Sequence, residues 1–345
     1  LPRWTAWKRP AKACANYRLK SANTTPKSKP RTYGDMRRLS YATRGTTLIE
    51  LLVGMFVALI VLGVALQLTL LARARYQRIT DEALIEDRGT QALELLTTAL
   101  QQAGWVTDTP ATRGIRQWPD AKAPPSIQGA DSCTPREAEN LECGSGGIRS
   151  SDAVLVRFAG HNMPTSPQRA DNSISDCSGY GVTEQVQGGD ADLRPGYMLL
   201  YLSKASDGEP QLMCRSRRHQ SGQPLTNAWT SNGMVRGVET MQLLYSVGTA
   251  DGSTITTLSA RAITPDQWRR VQAVHIALVV RGDYIDPAST GKSVPTLTLF
   301  PRLRQPEGAN AQDLGFTPTQ PQRRRALFTA TVRLRNPLAC EVDVC

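Results

Sequence analysis

A chain of 345 residues with 41 Lys and Arg against 30 Asp and Glu carries a formal charge of +11, a balance that invites a nucleic-acid partner. Its distribution removes that reading: the 45 residues up to Gly45 hold 12 of the bases and one acid, Asp35, so the 29 bases and 29 acids that follow cancel. No net field is left beyond Gly45 to draw in a polyanion.

Residues 1–45 read as a basic leading segment. Within it, residues 1–35 are rich in Lys, Arg, Pro and Ser without apolar periodicity, so disorder is expected there. They also read as an extension upstream of a true start at Met36. Next comes Gly45-Thr46-Thr47-Leu48-Ile49-Glu50, and then 21 residues without a charge, Leu51 to Leu71. About 20 apolar residues suffice to cross a bilayer. Glu50 sits at the mouth of this run, although a charge at the centre of a bilayer costs roughly 2.5–3.5 kcal/mol or more. A secretory signal is a poor fit, because its apolar region is shorter and a small-residue cleavage site follows it. An ordinary membrane anchor explains the length of the run and leaves the acid unexplained.

Glycine, spaced acid and long apolar run together resemble the processing site of type IV prepilins and pseudopilins. The resemblance implies a dedicated prepilin peptidase that cuts between Gly45 and Thr46, with Glu50 as the fifth residue of the mature chain. It implies N-terminal methylation as well, but Thr46 stands where the family usually has Phe. Glu50 would then pair with the new amine of a neighbouring subunit, so that neither charge is left alone in low dielectric.

The helix is expected to continue past the membrane. No proline occurs between Thr46 and Thr109, Arg73, Arg75 and Arg78 mark the exit, and Leu84, Leu93, Leu96 and Leu100 recur near helical spacing. Residues 46–72 read as the transmembrane half and 73–103 as the amphipathic half, with Gly104 as the stop. Gly54 and Gly63 weaken the first half by roughly 1 kcal/mol each relative to Ala. Close helix packing is one reason to keep them; mere tolerance is the other.

Residues 104–150 read as an irregular connection, broken by Pro110, Pro119, Pro124, Pro125 and Pro135, with Gly144-Ser145-Gly146-Gly147 as a flexible stretch. From 151 to 345 strand patterns dominate. They run over Val154–Phe158, Tyr197–Leu202, Val238–Val247, Trp268–Arg281 and Phe328–Leu334, with a turn signal at Ala250-Asp251-Gly252. Apart from Cys14, six cysteines follow the apolar run: Cys133, Cys143, Cys177, Cys214, Cys340 and Cys345. In an oxidising compartment they allow three disulfides and fifteen pairings. The expected set is Cys133–Cys143 and Cys340–Cys345 as local loops, with Cys177–Cys214 remaining. Zinc is disfavoured, since there is no C-x-x-C pair and only three His.

The strand Gly237-Val238-Glu239 to Leu244-Tyr245, the turn at Asp251-Gly252 and the closing Phe328-Thr329-Ala330-Thr331-Val332-Arg333-Leu334-Arg335-Asn336 resemble the PilW type of minor pilin. The resemblance implies an α+β, pilin-like fold: a long N-terminal α-helix packed on a C-terminal antiparallel β-sheet head. It places the chain in the bacterial inner membrane as a single span with a periplasmic head, and in the pilus after assembly. The implied function is pilus assembly, within a priming or tip complex that serves twitching motility. The implied partners are other minor pilins, the major pilin, the inner-membrane assembly platform and a tip adhesin.

Two alternatives share this anchor. One is a J-type minor pseudopilin of type II secretion. The other is a head that binds DNA or a surface ligand, for which Arg215, Arg217, Arg218 and Arg323-Arg324-Arg325 are the sequence support. No catalytic motif and no cofactor site is found. Asp190, Asp192 and Asp251 lack the pattern of an acidic calcium loop and read as turns. His275, inside an alternating strand, reads as a satisfied sheet residue.

Overall fold

The computed structural model describes residues 47–105, 124–136, 141–184, 196–220, 223–249, 252–286, 293–303 and 306–336. The chain divides into two units, Leu1–Gly63 and Val64–Cys345. In the first, the described residues form the opening stretch of helix α1 (Leu48–Gln102). The second holds the rest of α1 and an antiparallel β head.

Two larger sheets organise the described residues of the head. The first is a meander of β1 (Ile127–Ala130), β2 (Ala153–Phe158), β3 (Gly196–Lys204), β4 (Pro210–Gln220) and β5 (Gln223–Arg236), hydrogen-bonded in chain order. The second contains β6 (Val238–Gly248), β7 (Ile255–Leu258), β8 (Val271–Ile285) and β9 (Arg323–Arg333), in the spatial order β7-β6-β8-β9. Every pair is antiparallel.

One core joins the helix to the inner faces of both sheets. It contains Ile85, Leu96 and Leu100 from α1, Val154, Val156, Leu200 and Leu212 from the first sheet, and Leu243, Tyr245, Ile276 and Leu278 from the second. Val274, Ile276, Leu278 and Val280 share the core face of β8, as their alternation predicts. The opposite face of β8 is covered too: Ala277 and Val279 pack with Leu299, Phe300 and Phe316. That double burial explains why this strand reads as a nearly continuous apolar run. Trp268, expected to open the strand, lies in a preceding 3-10 turn, Gln267–Arg270.

The buried stripe of α1 is Asp81, Ile85, Gly89, Ala92, Leu96, Ala99 and Leu100. Leu84 and Leu93 lie at its border and are half-buried. Small residues fill the stripe because β9 comes close: the ring of Phe328 occupies the space in which any side chain at position 89 would begin. Gly89→Val should therefore overpack this seam by about 1–3 kcal/mol. Thermal unfolding of the Gly89→Val chain, with and without Phe328→Ala, checks this. Partial relief by the second change is expected, and strict additivity would contradict the contact.

The helix ends where the sequence places it. Gly104 adopts φ +70, which glycine reaches without steric cost. Asn336 donates from Nδ2 to the carbonyls of Gln101 (3.4 Å) and Ala103 (3.1 Å). Asn336, three residues after β9, thus satisfies carbonyls that the last helical turn leaves open.

Residues 104–150 are not all irregular. β1 lies among them and extends the first sheet. Cys143–Ser145 pairs with Thr134–Pro135, and Gly147 sits so close to Ser151 and Cys133 that a Cβ would not fit. The glycine stretch expected to be flexible is held by this close backbone approach and by the Cys133–Cys143 disulfide. A second disulfide joins Cys177 to Cys214. Cys340 and Cys345, like Asp190, Asp192 and Asp251, lie outside the described residues. Asp152 ties the two sheets together, accepting from the amides of Ser132 (2.9 Å) and Leu243 (2.7 Å). Burial, with Asp131 nearby, holds its carboxyl well above the usual carboxylate range.

Candidate assembly interface

The processing residues Gly45 and Thr46 lie outside the described residues. Glu50 lies in the first turn of α1. Its backbone N–H donates to Thr47 O (3.0 Å) and Thr47 Oγ1 (3.4 Å), so Thr47 acts as the helix cap. A signal for this was available: Thr47-Leu48-Ile49-Glu50 has the spacing of a capping box. An acid near the amino end of a helix also faces the positive end of the helix dipole.

Beyond Glu50 the helix is apolar and bare. Leu51, Phe56, Leu59, Leu62, Leu66 and Leu70 are all more than half exposed. By length and composition this helix could cross a membrane. Thr69, inside the run, donates its hydroxyl to Ala65 O at 2.8 Å and so needs no water. A side chain added at Gly54 or Gly63 would meet nothing within 4 Å. Among the described residues no packing contact at these positions offsets their helix-weakening effect.

Toward the head, α1 is locked by polar contacts. Asp81 Oδ1 accepts the amides of Asp283 (2.7 Å) and Tyr284 (3.0 Å) at the end of β8. Gly282 is required beside it, because a Cβ there would collide with the carboxylate. Arg88 donates through Nη1 and Nη2 to the two carboxylate oxygens of Asp283, both at 2.9 Å. That hydrogen bonding holds the Asp283 carboxyl below its usual range. Sequence reasoning missed Asp81 and Gly282, since an acid on a helix and a glycine in a strand carry no signal of mutual contact.

Five of the six arginines in the two clusters have partners within the fold. Arg323 pairs with Glu209 (2.9 Å), Arg324 with Glu82, and Arg325 with Glu239 (2.9 Å). Arg215 lies over Tyr201, with its guanidinium carbon 5.2 Å from the ring centre, and Arg217 over Tyr197 (5.0 Å) and Trp229 (5.3 Å). These are cation–π contacts on the outer face of the first sheet. Arg218 is exposed. His275 lies between Ser246 Oγ (2.8 Å) and Thr331 Oγ1 (2.9 Å), and burial lowers its pKa. Among the described residues no three His, Cys, Asp or Glu stand close enough to hold a metal ion.

Residues 199–336 match the family model of PilW, the type IV pilus-assembly protein W. Over those residues the chain is similar to PilW. The matched stretch runs from within β3 to the Asn336 cap, and so includes β4 to β9 and both arginine clusters. The resemblance read from Gly237–Tyr245 and Phe328–Asn336 falls inside it. Among solved structures, a type IV-like pilin from Thermus thermophilus overlaps 74% of this chain and 98% of its own, at 13% identity and a TM-score of 0.36. No curated protein matches the chain.

Proposed function

We propose that this chain is a minor pilin that takes part in type IV pilus assembly. The match of residues 199–336 to PilW carries the reading. The bare apolar helix with Glu50 in its first turn supports it. In this reading Gly45–Thr46 is cut, the helix waits in the inner membrane with the head in the periplasm, and assembly moves it into a bundle of similar helices. There the exposed leucines are buried, Gly54 and Gly63 allow close approach, and Glu50 meets the amine of a neighbour. The finer role is entry into a priming or tip complex with other minor pilins, the major pilin and a tip adhesin. The ion-paired arginines make a DNA-binding head the weaker alternative. The J-type pseudopilin shares the helix, and loss of surface pili on deletion, with secretion intact, separates the two.

Mass spectrometry of the membrane-bound chain should find an amino terminus at Thr46. An intact Gly45–Thr46 bond would reduce the protein to an anchored domain. Glu50→Ala should leave the chain processed and in the membrane but remove it from sheared filaments, read by immunoblot of the two fractions. Undiminished recovery in filaments would contradict the pairing.

A further inference from the structure

The second sheet ends in an edge that the described residues leave open: β9 pairs with β8 alone. Leu334 donates its amide to Gln272 O at 2.8 Å, and Ala273 stands opposite Arg333. Together these fix the phase of the ladder. Phe328, Ala330 and Val332 spend their N–H and C=O groups on β8, while those of Leu327, Thr329, Thr331 and Arg333 point away from the sheet. Thr329, Thr331 and Arg333 are exposed. Such an edge is a template for another strand, and proteins usually blunt it with proline, charge or a bulge. Between Arg325 and Arg333 there is no proline and no charge, and the register is unbroken. A groove runs beside this edge. Thr97 and Gln101 of α1 form one wall and Ala330, Val332 and Leu334 the other, around a space of about 540 Å³. Thr331, Arg333 and Arg335, which point to the opposite face of the strand, border the same space. The groove therefore opens around the edge of β9 rather than into the core.

We propose that the free edge of β9 and the groove beside α1 receive an extended strand from a different chain, apolar on the face toward α1 and carrying a carboxylate opposite Arg333. A strand laid along β9 gains main-chain hydrogen bonds from Thr329, Thr331 and Arg333, and directs alternate side chains into the groove. The others pass over Thr331 and Arg333. Charge selects the acid: Arg333 and Arg335 are exposed at this end of β9, whereas Arg323 to Arg325 are already paired. A second copy of this chain is a poor occupant. α1 runs alongside β9 in the same direction, since Glu82 pairs with Arg324, Gly89 meets Phe328 and Gln101 meets Asn336. Antiparallel pairing of two β9 edges would set two α1 helices in opposite directions, and both could not enter one bilayer from one side. Parallel pairing would set Arg333 and Arg335 of one copy beside those of the other, and facing like charges are destabilising. The first of these exclusions rests on the membrane-anchored reading above; the edge, the groove and the charge do not.

The test titrates the full chain, in detergent, into a fluorescein-labelled peptide of alternating Thr and Val with Glu at its centre, and into the same peptide with Lys there, read by fluorescence anisotropy. The Glu peptide should bind several-fold more tightly than the Lys peptide, and Arg333→Glu should reverse that order. Thr329→Pro should abolish binding while Thr329→Ala preserves it. Proline is tolerated where the N–H of an edge strand faces outward, so the Thr329→Pro head should still melt cooperatively. Arg333→Glu, which leaves the backbone alone, decides the matter if it does not. Binding of neither peptide, equal binding of both, or binding that survives Thr329→Pro in a folded head overturns the strand seat. Binding that appears only when the chain is shortened to end at Asn336 overturns the foreign strand in favour of the chain's own tail. Hydrogen exchange at the Thr329 and Thr331 amides that slows with chain concentration alone overturns it in favour of self-pairing. None of these readouts depends on cleavage after Gly45, so failure here leaves the pilin reading to its own test, the amino terminus at Thr46.

Discussion

Glu239→Ala is expected to cost the head at least about 3–5 kcal/mol, the range for breaking a buried ion pair from one side. Glu239 is fully buried at the start of β6. Its Oε1 accepts from Arg149 (2.7 Å) and Arg281 (3.0 Å), and its Oε2 from Arg325 (2.9 Å). Arg281 also binds Glu209 at 2.6 Å, so a second acid shares the load. Removing Glu239 leaves three guanidinium groups close together with one fewer counter-charge, two of them almost without water. The contacts span positions 149 to 325, so the whole second sheet should loosen rather than one loop. Arg149 is held at φ 50, a left-handed backbone that non-glycine residues seldom adopt, and its contact with Glu239 is one of those that keep it there. Denaturant unfolding of the full-length chain in detergent, followed by circular dichroism, measures the loss. A cost below about 1 kcal/mol, the level of a surface pair, would show that the network is dispensable.

Cys177→Ala is the second large effect. The Cys177–Cys214 bridge spans 37 positions. In the chain-entropy account, closing a loop of that size destabilises the unfolded state by about 4 kcal/mol. Cys214 is fully buried on β4 and contributes to the main core, so the bridge fastens the segment before β3 to the centre of the first sheet. Cys143→Ala opens a bridge of 10 positions, for which the same account gives slightly under about 3 kcal/mol. Unfolding midpoints of both variants under oxidising conditions should rank in that order. The reverse ranking would mean that packing of the Cys133–Cys143 segment over the first sheet outweighs loop closure. That segment does cover a smaller cluster, in which Cys133 and Leu141 pack with Leu155, Tyr197 and Leu199.

Strands with clean alternation could be read in advance. β2, β3, β6, β8 and β9 all fall on runs that the apolar pattern marks, because one face of each must enter a core. Strands β4 and β5 were invisible for a definite reason. In β4, Leu212 and Cys214 face the core while Arg215 and Arg217 alternate with them, and a strand bearing arginines resembles a polar loop. The aromatic rings that receive those arginines, Tyr197, Tyr201 and Trp229, come from β3 and β5. No local window holds both partners. The same blindness made Arg323 to Arg325 look like a basic patch, when their acids lie at positions 82, 209 and 239.

The sequence by itself determined the apolar helix, its acid in the first turn and the β character of the head. These follow from composition and short-range spacing, which carry hydrophobic burial, capping and backbone propensity. Only the tertiary structure decided which charges are spent and which surfaces remain. Ion pairs, cation–π contacts and the close approach of Phe328 to Gly89 join residues far apart in the chain, and their energies depend on distances and burial that arise only once the sheets and helix have come together.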